Sequence, residues 1–215
     1  MLETGLTVHG KPFADYLAAL DLSRAYDYIQ ELALGKIPLD EIAIRDINRL
    51  VTYSDDPNKR AIAGQYRQIP VWPNGVPDVH YAEPAEIPEK MHDLITWYKS
   101  VEGKDHPVKI AALLHLKFVT IHPFRDGNGR TARLLMDFEL IKHGYLIINI
   151  QPDKDCRNAY MNDLQVAQTT GNDKEFINLV VEYETAELQE RLQLLKRIEN
   201  ERKNAEKLTR LDDFK

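Results

Sequence analysis

Cysteine is nearly absent: Cys156 is the only one in 215 residues. That excludes an intrachain disulfide and a multi-cysteine zinc site, suits a reducing compartment, and makes a cytoplasmic location the expectation. No apolar run approaches the ~18 residues that a membrane span requires. The opening Met1-Leu2-Glu3-Thr4 lacks a basic n-region and an apolar h-region, so no signal peptide is read there. Positive charge is in deficit, with 28 basic against 34 acidic residues and a net charge of -6. Generic nucleic-acid binding needs a basic face to neutralise phosphates, so the balance argues against it. It leaves room for one local anion pocket. No internal repeat is visible.

What is present suits a globular chain. At 43% apolar residues, 215 residues can bury a core as one domain with a tail, or two small domains. Most of the sequence reads as helix. Pro12 suits a first helical position, and Phe13, Leu17, Leu20, Tyr28 and Leu32 follow roughly along one face, with Gly35 as the stop. Pro38-Leu39-Asp40 opens a second helix running to about Val51. Prolines then recur at 57, 70, 73, 77, 84 and 88, and Tyr66 to Gly75 reads as a short hairpin confined to an edge, or as an irregular loop. Helices are expected from Glu89 through Tyr98, from Pro107 to Ile121 with little polar surface, from Arg130 to His143, from Cys156 to Gln168, and from Asp173 onward. The apolar stretch Tyr145 to Ile150 reads as extended. Leu188, Leu192 and Leu195 follow 4-then-3 spacing, but Glu199 and Arg202 interrupt the seam, so the tail reads as a solvated helix against its own domain or a partner contact.

The stretch that carries chemistry is His122-Pro123-Phe124-Arg125-Asp126-Gly127-Asn128-Gly129-Arg130-Thr131-Ala132-Arg133. A buried helix ends at a His-Pro pair, because the residue before proline is steered away from helical geometry. A Gly-Asn-Gly turn then lets backbone N–H groups converge, and the next helix aims its positive end at the same point. Arg130 and Arg133 share a face of its first turns, which suits more than one phosphate. Asp126 places a carboxylate at the mouth, fit for Mg²⁺ beside a polyphosphate. His122 can take a proton near neutral pH. The stretch lacks the ending of a Walker A loop and the alternating acids of an EF-hand. Each part alone has a bland reading, as a helix cap, a turn or solvent-facing arginines; together within twelve residues they form the parts of a displacement on a bound nucleotide.

His122 to Arg133 resembles, position for position, the signature His-x-Phe-x-Asp/Glu-Gly-Asn-Gly-Arg-x-x-Arg of the Fic family. The resemblance runs from about Leu6 to about Glu184, through Ala63-Gly64-Gln65-Tyr66-Arg67 and the pattern Arg157-x-x-Tyr160-x-x-x-Leu164. It implies a mainly α fold, a helical bundle with a short β-hairpin flap at about residues 66–77. N-terminal helices (1–53) would pack on a core (54–184), followed by a charged C-terminal helix (185–215). The implied activity is protein adenylylation: AMP moves from Mg²⁺-ATP to a Ser, Thr or Tyr hydroxyl of a target protein, with release of pyrophosphate. His122 would be the general base and Asp126 the Mg²⁺ ligand. Gly127, Asn128 and Gly129 would hold anionic oxygen, with Asn128 also touching the α-phosphate, and Arg130 and Arg133 would clamp the β- and γ-phosphates. Phe124 would anchor the loop, and Tyr160 and Met161 would fall at the adenine pocket, where many relatives carry an aromatic in place of Met161. The target would lie as an added strand along the flap from Pro70 to Val76.

The family's inhibitory pattern Ser/Thr-x-x-x-Glu-Gly/Asn is not found in this sequence. Leu2-Glu3-Thr4-Gly5-Leu6-Thr7 resembles the stretch that follows it in relatives inhibited from the N-terminal side. A missing N-terminal segment or an inhibitory partner is therefore expected, leaving Arg133 without its glutamate. Other phosphate transfers on the fold (phosphorylation, UMPylation, removal of AMP) are alternatives, as is a nucleotide-binding module without turnover. Intact Gly127 and Gly129 favour AMP transfer, and removal of AMP relies in relatives on the glutamate. A His92-Asp93 pair of a metal-dependent phosphohydrolase would need further ligands. A homo-oligomer is compatible with the sequence.

Overall fold

The computed structural model describes residues 13–52, 57–73, 78–150 and 153–212. Its helices are α1 (Phe13–Leu34), α2 (Glu41–Thr52), α3 (Pro57–Ile62), α4 (Ile87–Val101), α5 (Pro107–Ile121), α6 (Asn128–Lys142), α7 (Lys154–Thr170) and α8 (Lys174–Asp212), with one 3₁₀ turn at Pro84–Glu86. At the centre, α5 and α6 pack on each other across the His122–Gly127 turn; α1 and α2 cover α6, while α4, α7 and α8 cover α5. The reason lies in composition. Ten residues of α5 are buried, from Val108 to Ile121, so the helix is apolar nearly all round and has to be enclosed. Its start is set by Pro107 in the first turn and by His106, whose Nδ1 accepts from the Val108 N–H at 3.3 Å. Pro123 forbids its continuation, and His122 caps it in the left-handed region at φ 54, ψ 56.

Capping follows sequence elsewhere. Asp40 accepts from the Ala43 N–H at 2.8 Å at the head of α2, and Asp153 accepts from Asp155 and Cys156 at the head of α7. Tyr145 to Ile150 belongs to no helix and no strand.

At three places the structure differs from the expectation or does not meet it in full. In α1 the buried stripe is Asp21, Ala25, Ile29, Leu32 and Ala33, one turn apart, so that Leu32 lies in it as expected, whereas Leu20 is 36% exposed. The expected hairpin has no strand among its described residues; the one bridge there, Tyr66 to Phe124, ties the segment to the motif instead of to itself. Residues 74–77 at its tip lie outside the described residues, as do Leu2 to Thr7. Finally, α8 packs through Phe176, Val180 and Glu184, but beyond Glu187 its side chains to 204 are exposed, including Leu188, Leu192, Leu195 and Ile198. Among the described residues no helix is long and apolar enough to cross a membrane.

Candidate functional site

The α5–α6 turn is built from backbone commitments made by side chains. Asn128 is 3% exposed; its Oδ1 accepts from the Phe124 N–H at 3.0 Å and its Nδ2 donates to the Phe124 carbonyl at 2.8 Å. Phe124 is buried against Tyr66 and Phe118, at ring-centroid distances of 5.5 and 6.1 Å, so the loop is nailed to the core at its middle. Phe124 holds the Asn128 amide through Oδ1 and one Nδ2–H, which leaves for an anion the second Nδ2–H and the backbone N–H. That N–H, with those of Gly129 and Arg130, has no intrahelical partner at the start of α6.

The glycines differ in what they do. Gly127 sits at φ 79, and a β-carbon there would lie 2.5 Å from Thr52 Cγ2 and 3.0 Å from Asn48 Nδ2, so the loop is pressed onto α2. Around Gly129 the nearest protein atom to such a carbon is Arg133 Nη1 at 3.8 Å. Protein packing does not demand this glycine, and its bare backbone leaves open space over the positive end of α6.

His122, Arg125, Asp126, Gly127, Asn128, Gly129, Arg130 and Arg133 together line a concavity of about 300 Å³. The Arg130 guanidinium donates to the Val51 carbonyl and lies 3.5 Å from Asp126 Oδ1, which also accepts from the Gly127 N–H at 2.6 Å. Among the described residues Oδ2 of Asp126 has no hydrogen-bond partner, and the side chain is 55% exposed. No carboxylate among the described residues pairs with Arg133 within 4.0 Å; its positive charge lies close enough to the Tyr160 hydroxyl to oppose the rise that burial gives its pKa. A second cleft of about 560 Å³ shares Arg130 and Arg133 with the first and is lined by Tyr26, Ile150, Tyr160 and Met161, among others. Tyr160 is buried, its hydroxyl 2.8 Å from Nε2 of the fully buried His115, while Met161 is 46% exposed.

His122 is partly buried, its ring stacked on Tyr81 with centroids 3.9 Å apart and planes 15° from parallel. Burial pushes its pKa down to about 4; the Val119 carbonyl, 3.4 Å from Nδ1, opposes this, and the Arg67 guanidinium adds to it. The imidazole is therefore neutral near pH 7. With Nδ1–H turned to Val119, the lone pair is on Nε2.

Sequence reasoning missed the braces. Asn48, 1% exposed, donates to the Asp126 carbonyl at 3.0 Å and to Thr131 Oγ1 at 3.2 Å, and accepts from the Gly64 N–H at 3.0 Å. Its signal was an amide on the apolar stripe of α2, one turn from Ile44 and Val51. Arg67, 3% exposed, donates to the carbonyls of His122 at 2.8 Å, Ile69 at 3.0 Å and Ala82. Nothing local to Tyr81 marked it. Among the described residues no three His, Cys, Asp or Glu gather to hold a metal, so His92 and Asp93 have no ligand set around them.

Comparison with known proteins gives a consistent result. The Fic/DOC family model matches residues 38–140. A protein adenylyltransferase Fic of Aedes aegypti is 36% identical over 187 residues, covering 85% of this chain and 35% of that protein. The chain thus spans about a third of the length of the curated relatives it matches. The solved Fic domain containing signaling protein of Bacteroides thetaiotaomicron aligns with TM-score 0.74 and 31% identity, over 86% of this chain and 74% of that one. Fic-1 of C. elegans aligns with TM-score 0.76 and 26% identity, over 91% and 56% of the two chains.

Proposed function

This chain belongs to the Fic/DOC family, and on that premise we propose that it is a protein adenylyltransferase. It would transfer AMP from ATP to a hydroxyl side chain of a target protein and release pyrophosphate. The observation that carries the reading is the single concavity in which a neutral His122, the free backbone N–H groups at the head of α6, Asp126, Arg130 and Arg133 converge. Relatives at 36% and 34% identity bear the name protein adenylyltransferase Fic.

In this reading Nε2 of His122 accepts the proton of the attacking hydroxyl as its oxygen bonds to the α-phosphorus. The bond from that phosphorus to the β-bridging oxygen breaks, and pyrophosphate departs. The backbone N–H groups of residues 128–130 hold the equatorial oxygens, and Arg130 and Arg133 hold the leaving phosphates. Asp126, whose Oδ2 has no partner among the described residues, would hold Mg²⁺ through that oxygen. Mg²⁺ there would neutralise charge on the phosphates. Tyr160 and Met161, in the cleft beyond Arg133, would face the rest of the nucleotide. The target would pair with the backbone between Pro70 and Val76; its described part, residues 70–73, belongs to no ladder, and Trp72 is 74% exposed there. Expected domain roles remain those of helices 1–53 packing on a core of 54–184.

The test uses purified protein with Mg²⁺ and ATP labelled at either the α- or the γ-position. Label from the α-position should stay on protein, on an added target or on the chain itself, with a gain of about 329 Da per site for AMP added and pyrophosphate lost. Retention of γ-label instead would make the reaction phosphorylation and overturn this reading.

A further inference from the structure

Left-handed backbone at a non-glycine residue is strained and persists only where the surroundings hold it. His122 has that backbone, at φ 54, ψ 56. What holds it is Arg67, whose Nε donates to the His122 carbonyl at 2.8 Å while Nη2 donates to the Ala82 carbonyl. A guanidinium is planar and rigid, so one group sets the position of His122 and of the residue that follows Tyr81 relative to each other. The two rings that result are stacked at 3.9 Å and 15°.

We infer that Tyr81 is a positioning residue for transfer, its ring fixing the plane of the His122 imidazole so that Nε2 faces the anion loop. The proposal rests on His122 being the base. A stack alone fixes a plane but not which edge of the imidazole points inward, since a half-turn about the Cβ–Cγ bond would leave the plane unchanged. The Val119 carbonyl chooses the edge, 3.4 Å from Nδ1. At that distance the hydrogen bond is too weak to hold a free ring by itself. Tyr81 removes the other degree of freedom and covers one ring face from water. The phenol is neutral, its pKa raised by burial, so it adds no charge beside the base. The charged and titratable groups around His122 are Arg67 from its own strap, and Arg125, Asp126, Arg130 and Arg133 along the concavity. None of them is altered by a change at 81.

The flat ring does this work, and the hydroxyl does not enter it. Tyr81→Leu, apolar but without a flat face, should lower kcat for AMP transfer about 10- to 100-fold, as misplacement of a base does, and leave KM for ATP within about twofold. The acid limb of its kcat–pH profile should move to higher pH as the imidazole regains water, and the His122 ring, followed by NMR, should titrate at higher pH than in the wild type. Tyr81→Phe should restore most of the rate and the wild-type profile. A Tyr81→Leu protein with unchanged kcat and an unmoved His122 titration would overturn the inference, and so would a Tyr81→Phe protein as slow as Tyr81→Leu. His122→Ala is the control that separates the two failures: transfer surviving in it removes the base assignment itself, while its inactivity beside a fully active Tyr81→Leu removes only the role of Tyr81.

Discussion

Asn128 and Phe124 exchange two hydrogen bonds, side chain to backbone, at 2.8 and 3.0 Å, closing the loop between α5 and α6 with no solvent in between. An amide is the one side chain of this length that offers a donor and an acceptor side by side. Asn128→Ala leaves the Phe124 N–H and carbonyl without partners, at a cost of about 1–3 kcal/mol for each group that stays unsatisfied. Chemical denaturation should show that loss, and Asn128→Asp, which keeps only acceptors, should also be destabilised. Wild-type stability in either variant would show that the loop does not depend on this pair.

The two loop glycines should separate folding from binding. Gly127→Ala combines a positive φ with a β-carbon 2.5 Å from Thr52, so its melting temperature should fall. Gly129→Ala meets nothing closer than 3.8 Å in the protein and should melt as the wild type does or slightly higher. Its methyl group occupies the space over the helix N-terminus, so ATP affinity should drop about tenfold or more, about 1.4 kcal/mol. Calorimetric titration with ATP reads this directly.

His122→Ala should bind ATP and fail to transfer AMP, with a rate loss on the order of 10²–10⁴. Asp126→Ala should instead lose the response to magnesium, because among the described residues Asp126 brings the only acidic side chain lining the concavity. A magnesium titration of transfer in both proteins distinguishes the roles; a wild-type rate indifferent to magnesium would remove the metal assignment.

Stability should fall as pH rises from about 4 to about 7. Burial raises the Asp137 carboxyl from 3.8 to about 7, with Glu184 adding to the rise and the Ile148 N–H and Arg133 opposing it. Between those values the folded chain binds the proton more tightly than the unfolded one, so the contribution is fully present below the unfolded pKa and is lost as pH passes through the folded one. The size is on the order of a few kcal/mol. Asp137→Asn, which keeps an oxygen for the Ile148 N–H, should flatten much of this slope and be more stable than the wild type at pH 8. Denaturation midpoints at pH 4.5, 6 and 8 would show it; parallel curves for the two proteins would remove the assignment.

By itself the sequence determined the helices and the motif. Pro107, Pro123 and Gly144 punctuate α5 and α6, apolar spacing marks their buried length, and the constellation from His122 to Arg133 lies within twelve residues, so local chemistry suffices to place it at one turn. Residues brought from afar were not legible. Asn48 reaches Asp126 and Thr131 from α2, Arg67 reaches His122 and Ala82, and Tyr81 lies on the imidazole. Each such contact depends on how helices and loops distant in sequence are stacked, a three-dimensional relation that no periodicity encodes. The same holds at single atoms: the motif names Asn128, and the fold ties its amide to both backbone groups of Phe124, because a buried backbone N–H and carbonyl must find partners.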